Sequence, residues 1–371
     1  MYIDEITYLD EIFDLEKKIE HSEHIKITNV SYWNPSNEFK EYLHKHIELT
    51  CPQDIFDYIY TYDVAKIQRA QILKKLGVIN PDSAMCLLNA TGTNSILNVI
   101  NYLKLHNYQK IAILIPSYFS VEKSCQLYGL AYKKVMLQHY NGKYYIPIEE
   151  LLKNNFDAIW ITSPPYSTGV SFEDSQIDIL KKLISKKILV IADETLALPH
   201  QMLLTQIPIS DFFFCICSPH KPLFMNKLKF SALVCPKKND DFLEQWIDVL
   251  SGSLLSSNIA AIQHFLSNNY DDCVYATQNW YTNSLHSIRT LLQLFPKVQC
   301  NLDEIAPYKT IYINCPKKDM QSLKNINTLI SKNYASYIPT VMEKDIGFRI
   351  NLSLETNNLI DTTYKIIKFY S

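Results

Sequence analysis

Asp193 closes the apolar run Lys187-Ile188-Leu189-Val190-Ile191-Ala192-Asp193, and Lys221 stands four residues after a second such run, Phe212-Phe213-Phe214-Cys215-Ile216-Cys217. Short runs rich in β-branched and aromatic residues read as buried parallel strands. Both charges therefore sit at strand ends, where open α/β sheets place their ligands. An amine there can hold an aldehyde as a Schiff base, and a carboxylate can keep a pyridine nitrogen protonated so that the ring accepts electrons. Those are the two ionic contacts that pyridoxal 5'-phosphate (PLP) requires. Either residue alone has an ordinary reading as well, Asp193 as a helix cap and Lys221 as a solvated lysine, so the rest of the chain must decide.

The elements that would position the pair alternate along the sequence. Cys86-Leu87-Leu88-Asn89-Ala90 reads as a strand, and Thr91-Gly92-Thr93-Asn94-Ser95 as a turn opening a helix over Ile96 to Leu105. Free amides and the helix dipole make such a turn an anion cradle. Further strands are predicted at Ile111 to Ile115, ending in Pro116-Ser117-Tyr118-Phe119, at Ala158 to Thr162, ending in Ser163-Pro164-Pro165-Tyr166-Ser167-Thr168-Gly169, and at Phe230 to Val234. Helices are predicted through Leu127 and over 175 to 185. Strands alternating with helices predict an α/β fold, a mostly parallel central sheet covered on both faces. Residues 256 to 295 read as one or two long helices. Strand-like Thr310 to Ile313, Phe348 to Leu352 and a last helix near 357 to 369 then form a smaller C-terminal α+β domain. The expected division is an N-terminal helix and arm over 1–45, a large domain over 46–255 and a small one over 256–371.

Composition excludes several classes. With 371 residues, 47% hydrophobic and 20% charged, the chain is globular and long enough for a large core. A formal net charge of −2 gives no case for nucleic acid or a membrane surface as partner, which leaves a small molecule. No basic leader and no run of 18 apolar residues is present, so the expected place is the cytoplasm. The nine cysteines show no CxxC and no metal-finger spacing, and read as reduced core thiols with no metal. Glycine is scarce, 7 in all, so Gly92 and Gly169 stand out as positions with a backbone reason. Arginine is scarcer still, at Arg69, Arg289 and Arg349, and planar bidentate recognition is the main reason to use one.

From about residue 27 to the end, the order of these motifs resembles the fold type I PLP-dependent enzymes, specifically the class I/II aminotransferases. The resemblance implies that Ala90-Thr91-Gly92-Thr93-Asn94 binds the cofactor phosphate and that Tyr118 lies on the pyridine ring. Ser163 to Gly169 is similar to the family's Asn-Pro-x-Asn-Pro-Thr-Gly loop, and Asp193-Glu194-Thr195-Leu196 to its Asp-Glu-x-Tyr turn. Ser218 to Lys221 matches Ser-x-x-Lys, with Ser218 implied as a phosphate ligand and Lys221 as the Schiff-base lysine that moves the substrate α-proton. Arg349, in an Arg-Ile strand, is implied to bind the substrate α-carboxylate. Tyr60, nine residues before Arg69, has the spacing of the tyrosine that reaches the partner subunit's cofactor, which implies a homodimer with shared sites; Tyr62 competes for that role.

Three positions depart from the family pattern. Tyr166 stands where relatives carry asparagine, Leu196 where they carry tyrosine, and Lys229 where they carry the arginine that grips the phosphate. The Tyr166 hydroxyl could replace the contact that Leu196 cannot make, and Lys229 could still serve as a point charge. The implied activity is an aminotransferase moving an amino group from an α-amino acid to a 2-oxo acid. The alternative is a PLP-dependent lyase, cyclase or oxidase acting on an amino-acid side chain, for example an arginine-derived one. A regulator that keeps the fold as a sensor lacks the basic helix-turn-helix segment it would need. Few arginines disfavour a substrate with a second carboxylate, and Glu5, Asp10 and Glu11 on a helix over 4 to 21 could meet a cationic side chain.

Overall fold

The computed structural model describes residues 35–46, 70–239, 256–314, 339–342 and 345–370. Tyr60, Tyr62, Arg69 and residues 4 to 21, for which a helix is predicted, lie outside them. The chain divides into two units, one of Met1–Lys45, Ser167–Val170 and Ala276–Ser371, the other of His46–Tyr166 and Ser171–Tyr275. No helix among the described residues is long and apolar enough to cross a membrane.

The second unit is built on a sheet of seven described strands. These are β1 (Ala84–Asn89), β2 (Ile111–Ile115), β3 (Tyr132–Met136), β6 (Ala158–Thr162), β7 (Leu189–Glu194), β8 (Phe213–Cys217) and β9 (Ser231–Pro236). Their order is β1-β9-β8-β7-β6-β2-β3; β9 runs antiparallel to both neighbours and the other pairings are parallel. A short antiparallel pair, β4 (Gln138–Tyr140) and β5 (Lys143–Tyr145), stands apart from it. The central strands are buried on both faces, which is why they read as continuous apolar runs. Against one face, Ile96, Val99, Ile100 and Leu103 of α2 (Gly92–Leu105) pack with Ile113, Trp160, Ile191 and Phe214. Full burial of such side chains contributes roughly 1.5–3 kcal/mol each before entropy is counted. β3 carries Lys133 and Lys134 and forms the sheet edge, so its half-polar pattern hid it from the sequence reading.

Because every strand except β9 runs the same way, the C-terminal ends of β1, β2, β6, β7 and β8 share one edge of the sheet. The turn at Thr91, the Pro116-Ser117-Tyr118 corner, Ser163, Asp193 and Ser218 all emerge there. The reversed β9 brings its own start to the same edge, with Ser231 opposite Asn89.

The first unit holds an antiparallel sheet of four described strands, β10 (Val298–Gln299), β11 (Tyr308–Asn314), β13 (Asp345–Asn351) and β12 (Pro339–Met342), in that order. Helix α1 (Asn37–His44) is capped by Ser36, whose Oγ accepts from the Phe39 amide at 3.1 Å and donates to the Ser353 carbonyl at 3.0 Å. Its Phe39 meets Trp280 edge-on at 5.4 Å and stacks on Tyr281 at 6.1 Å. The predicted long helical region is resolved into α6 (Ser256–His264), a π turn over Phe265–Asn269 and α7 (Tyr270–Leu292).

Candidate active site

The anion cradle is set by a polar lattice beneath it. Asn89, at the end of β1, donates to Ser95 Oγ at 2.9 Å and accepts from Asn98 Nδ2 at 2.6 Å. Ser95 Oγ donates to Ser231 Oγ at 2.9 Å, which in turn donates to the Cys217 carbonyl at 3.2 Å. The helix start is thereby tied to β1, β9 and β8. Thr91 is the N-cap, accepting from the Asn94 amide at 3.1 Å, so the helix begins at Gly92, four residues earlier than the apolar pattern indicates. Its first amides have no intrahelical partner and favour an anion.

Ser218 faces this turn. Its Oγ is buried and has no hydrogen-bond partner among the described residues. A Cβ on Gly92 would stand 3.8 Å from that Oγ, and 3.5 and 3.7 Å from Thr195 Oγ1 and Cγ2. A buried hydroxyl donor, a capped helix start and a glycine between them make a site whose shape and donors fit a phosphate.

Asp193 is 3% exposed and accepts from the Thr195 amide at 3.1 Å. Burial pushes its carboxyl up; the Thr195 hydroxyl and amide pull it back, followed by the charge of Lys221. Lys221 is half-buried, its amide donating to the Ser218 carbonyl at 2.9 Å in a tight turn. Tyr118 caps the helix Phe119–Leu127, its ring 5.7 Å from that of Tyr166 and tilted by 48°. Burial raises the Tyr118 phenol, with hydrogen bonds to Ser120 and Thr93 acting against it and the Asp193 charge adding to it. Tyr118 is therefore near both the Thr93 turn and Asp193. Tyr166 is buried and its amide donates to the Pro116 carbonyl at 3.3 Å; Leu196 is half-buried. Lys229 is exposed, yet near enough that burial, Lys221 and then Lys229 push His220 down to about 3. His220 is thus a neutral imidazole.

Arg349 lies in the other unit. It is 1% exposed, its guanidinium sits 4.7 Å from the centre of the Tyr308 ring, and its Nη1 donates to Ser167 Oγ at 3.3 Å. The Ser167 carbonyl accepts from Thr310 Oγ1 at 2.9 Å and the Gly169 carbonyl from Lys309 Nζ at 2.6 Å. Gly169 has φ +63, and a Cβ there would lie 2.2 Å from the Tyr308 carbonyl, so only glycine fits. Arg289 has a different task, with Nη2 bound to the Leu302 carbonyl at 2.9 Å.

Glu194 points away from Asp193 on its strand and gathers with Cys215 and Cys217, all buried. Its carboxylate accepts from the Leu203 and Leu204 amides and from Cys215 Sγ. Burial raises its pKa to about 7. Hydrogen bonds already account for this cluster, which reads as structural.

The sequence reading missed Thr195. Its position inside the Asp193 turn was visible, but its approach to Gly92 arises only when the ends of β1 and β7 are brought together.

Residues 34–197 match the family model for aminotransferase class I and II. No curated protein matches significantly. Among solved structures, N-succinyldiaminopimelate aminotransferase from Mycobacterium tuberculosis is similar with TM-score 0.75, 14% identity and 100% of both chains covered. The Escherichia coli protein YbdL, with a methionine aminotransferase function, gives 0.70 and 13%, covering 99% of each chain. Cystalysin from Treponema denticola, which contains PLP, gives 0.71 and 14%, covering 98% of this chain and 96% of that one. The chain has the fold of the PLP-dependent fold type I enzymes. Within that fold, the stretch that matches the aminotransferase class I and II model is residues 34–197.

Proposed function

We propose that the protein is a PLP-dependent aminotransferase moving an amino group from an α-amino acid to a 2-oxo acid. The observation that carries this reading is the meeting of Asp193, Lys221 and the unpartnered Ser218 hydroxyl at one sheet edge, beside the capped start of α2. When bound, PLP supplies an aldehyde that takes up amines and a ring that accepts the electrons of a deprotonated carbon.

The residues divide the work. Thr91, Gly92, Thr93 and Ser218 would hold the phosphate through amides and hydroxyls, with Lys229 adding positive charge from the exposed side. Tyr118 and Tyr166 would cover the ring and exclude water. Asp193 Oδ would accept the hydrogen bond of the protonated ring nitrogen. Lys221 Nζ would hold the cofactor covalently, then act as base and acid on the substrate α-proton. Arg349 would bind the α-carboxylate through two parallel N–H···O bonds. The family resemblance and Tyr60 support a homodimer with shared sites, and the buried free thiols agree with a cytoplasmic setting.

A lyase, cyclase or oxidase is the second reading, favoured by Tyr166 and Leu196 at two cofactor-facing positions. Incubating the PLP-loaded protein with single amino acids distinguishes them. Transamination should convert the cofactor to its pyridoxamine form with an equal amount of 2-oxo acid. Ammonia, thiol or peroxide without that conversion supports the second reading. Borohydride should attach PLP to Lys221 in the wild type and not in Lys221→Ala; a wild type that takes up no PLP overturns both readings.

A further inference from the structure

We infer that Thr195 is a positioning residue of the cofactor site, its hydroxyl and amide together orienting the Asp193 carboxylate so that the shared proton rests on the ring nitrogen. The inference rests on the proposed PLP site. Thr195 is the link between the two halves of that site. Its amide donates to Asp193 Oδ1 at 3.1 Å and its hydroxyl is a second donor to the same carboxylate. The same side chain flanks the cradle, 3.5 Å from where a Gly92 Cβ would stand. The hydroxyl opposite Asp193 in the sheet, that of Thr162, donates instead to Ser117 Oγ at 3.2 Å. Asp193 therefore takes its hydroxyl donor from its own turn.

Two donors make a carboxylate a poorer base. A proton shared between a buried aspartate and a ring nitrogen then favours the nitrogen, since moving it to the carboxyl would weaken both bonds. The other charged or titratable groups in reach of Asp193 are Lys221, Glu194, Cys217 and the Tyr118 phenol. The Lys221 charge acts on the carboxylate in the same direction as the Thr195 contacts.

Thr195→Val keeps the amide and the shape and removes the hydroxyl. With 15N-labelled PLP, the wild-type ring nitrogen should resonate as a pyridinium at neutral pH. In Thr195→Val the proton should move toward the carboxyl by about tenfold, the scale of one hydrogen bond to a charged group, shifting the resonance toward a neutral pyridine. PLP affinity should fall by a similar factor, and Thr195→Ser should restore both. Should the valine variant not fold, Thr195→Ala carries the same measurement. A variant with wild-type resonance and affinity, or a serine variant that restores neither, overturns the assignment of Thr195 alone. A wild-type protein that binds no PLP overturns the cofactor reading beneath it.

Discussion

Gly92 and Ser218 face each other across the cradle, with room for one methyl group between them: a Cβ on Gly92 would lie 3.8 Å from Ser218 Oγ. Gly92→Ala should therefore fold, with stability within about 1 kcal/mol of the wild type, while filling part of the space meant for a phosphate. PLP affinity should drop at least about tenfold, or roughly 1.4 kcal/mol. Pyridoxal, which has no phosphate, should bind both proteins alike. Titration by fluorescence measures both, and equal PLP affinity in the two proteins would remove the cradle from the site.

Glu194 makes folding stability depend on pH. Its folded pKa, about 7, is above the usual 4.5, so the folded state holds the proton more tightly. Its contribution is complete below about pH 4.5 and is lost as pH rises through about 7, a span worth on the order of 3 kcal/mol. Glu194→Gln keeps one acceptor oxygen for the Leu203 amide, gives up the one facing the Leu204 amide, and cannot ionise. Urea unfolding between pH 5 and pH 8 should show a smaller decline in that variant, and an undiminished decline would assign it to other groups.

Arg349→Lys tests planarity apart from charge. Lysine cannot present two parallel donors, nor offer a planar group to the Tyr308 ring, whose centre lies 4.7 Å from the guanidinium. The Michaelis constant for amino acids should rise about tenfold, one lost charge-assisted bond, with a smaller change in turnover. Steady-state kinetics would refute a carboxylate contact if the Michaelis constant stayed put.

Much of this was legible in the sequence because burial on both faces leaves a simple trace. Ile111–Ile115 and Ala158–Thr162 match their apolar runs residue for residue, and Asp193 closes a run that became β7. β3 was not legible, since Tyr132, Lys133 and Lys134 carry edge-strand polarity. The helix start was displaced from Ile96 to Gly92 because capping by Thr91 is polar and leaves no apolar period. The approach of Thr195 to Gly92 and the Ser95–Ser231 bond join distant segments, which periodicity does not record. The division near residue 275 falls inside α7, where continuous helical sequence gives no boundary signal.

Among the described strands β1 has a single neighbour, β9, which follows it by some 140 residues. A nascent chain that has emerged only as far as β8 holds Asp193 and the sheet face on which α2 packs, but lacks the strand that pairs with β1 and carries Ser231. Completion of the site is thus deferred until residues 231–236 are made and inserted between β1 and β8. Pairing over so long a loop is slow relative to local structure. Truncation between Lys221 and Lys229 should cost the phosphate end of the site first, even though Thr91, Gly92, Thr93 and Ser218 would still be present.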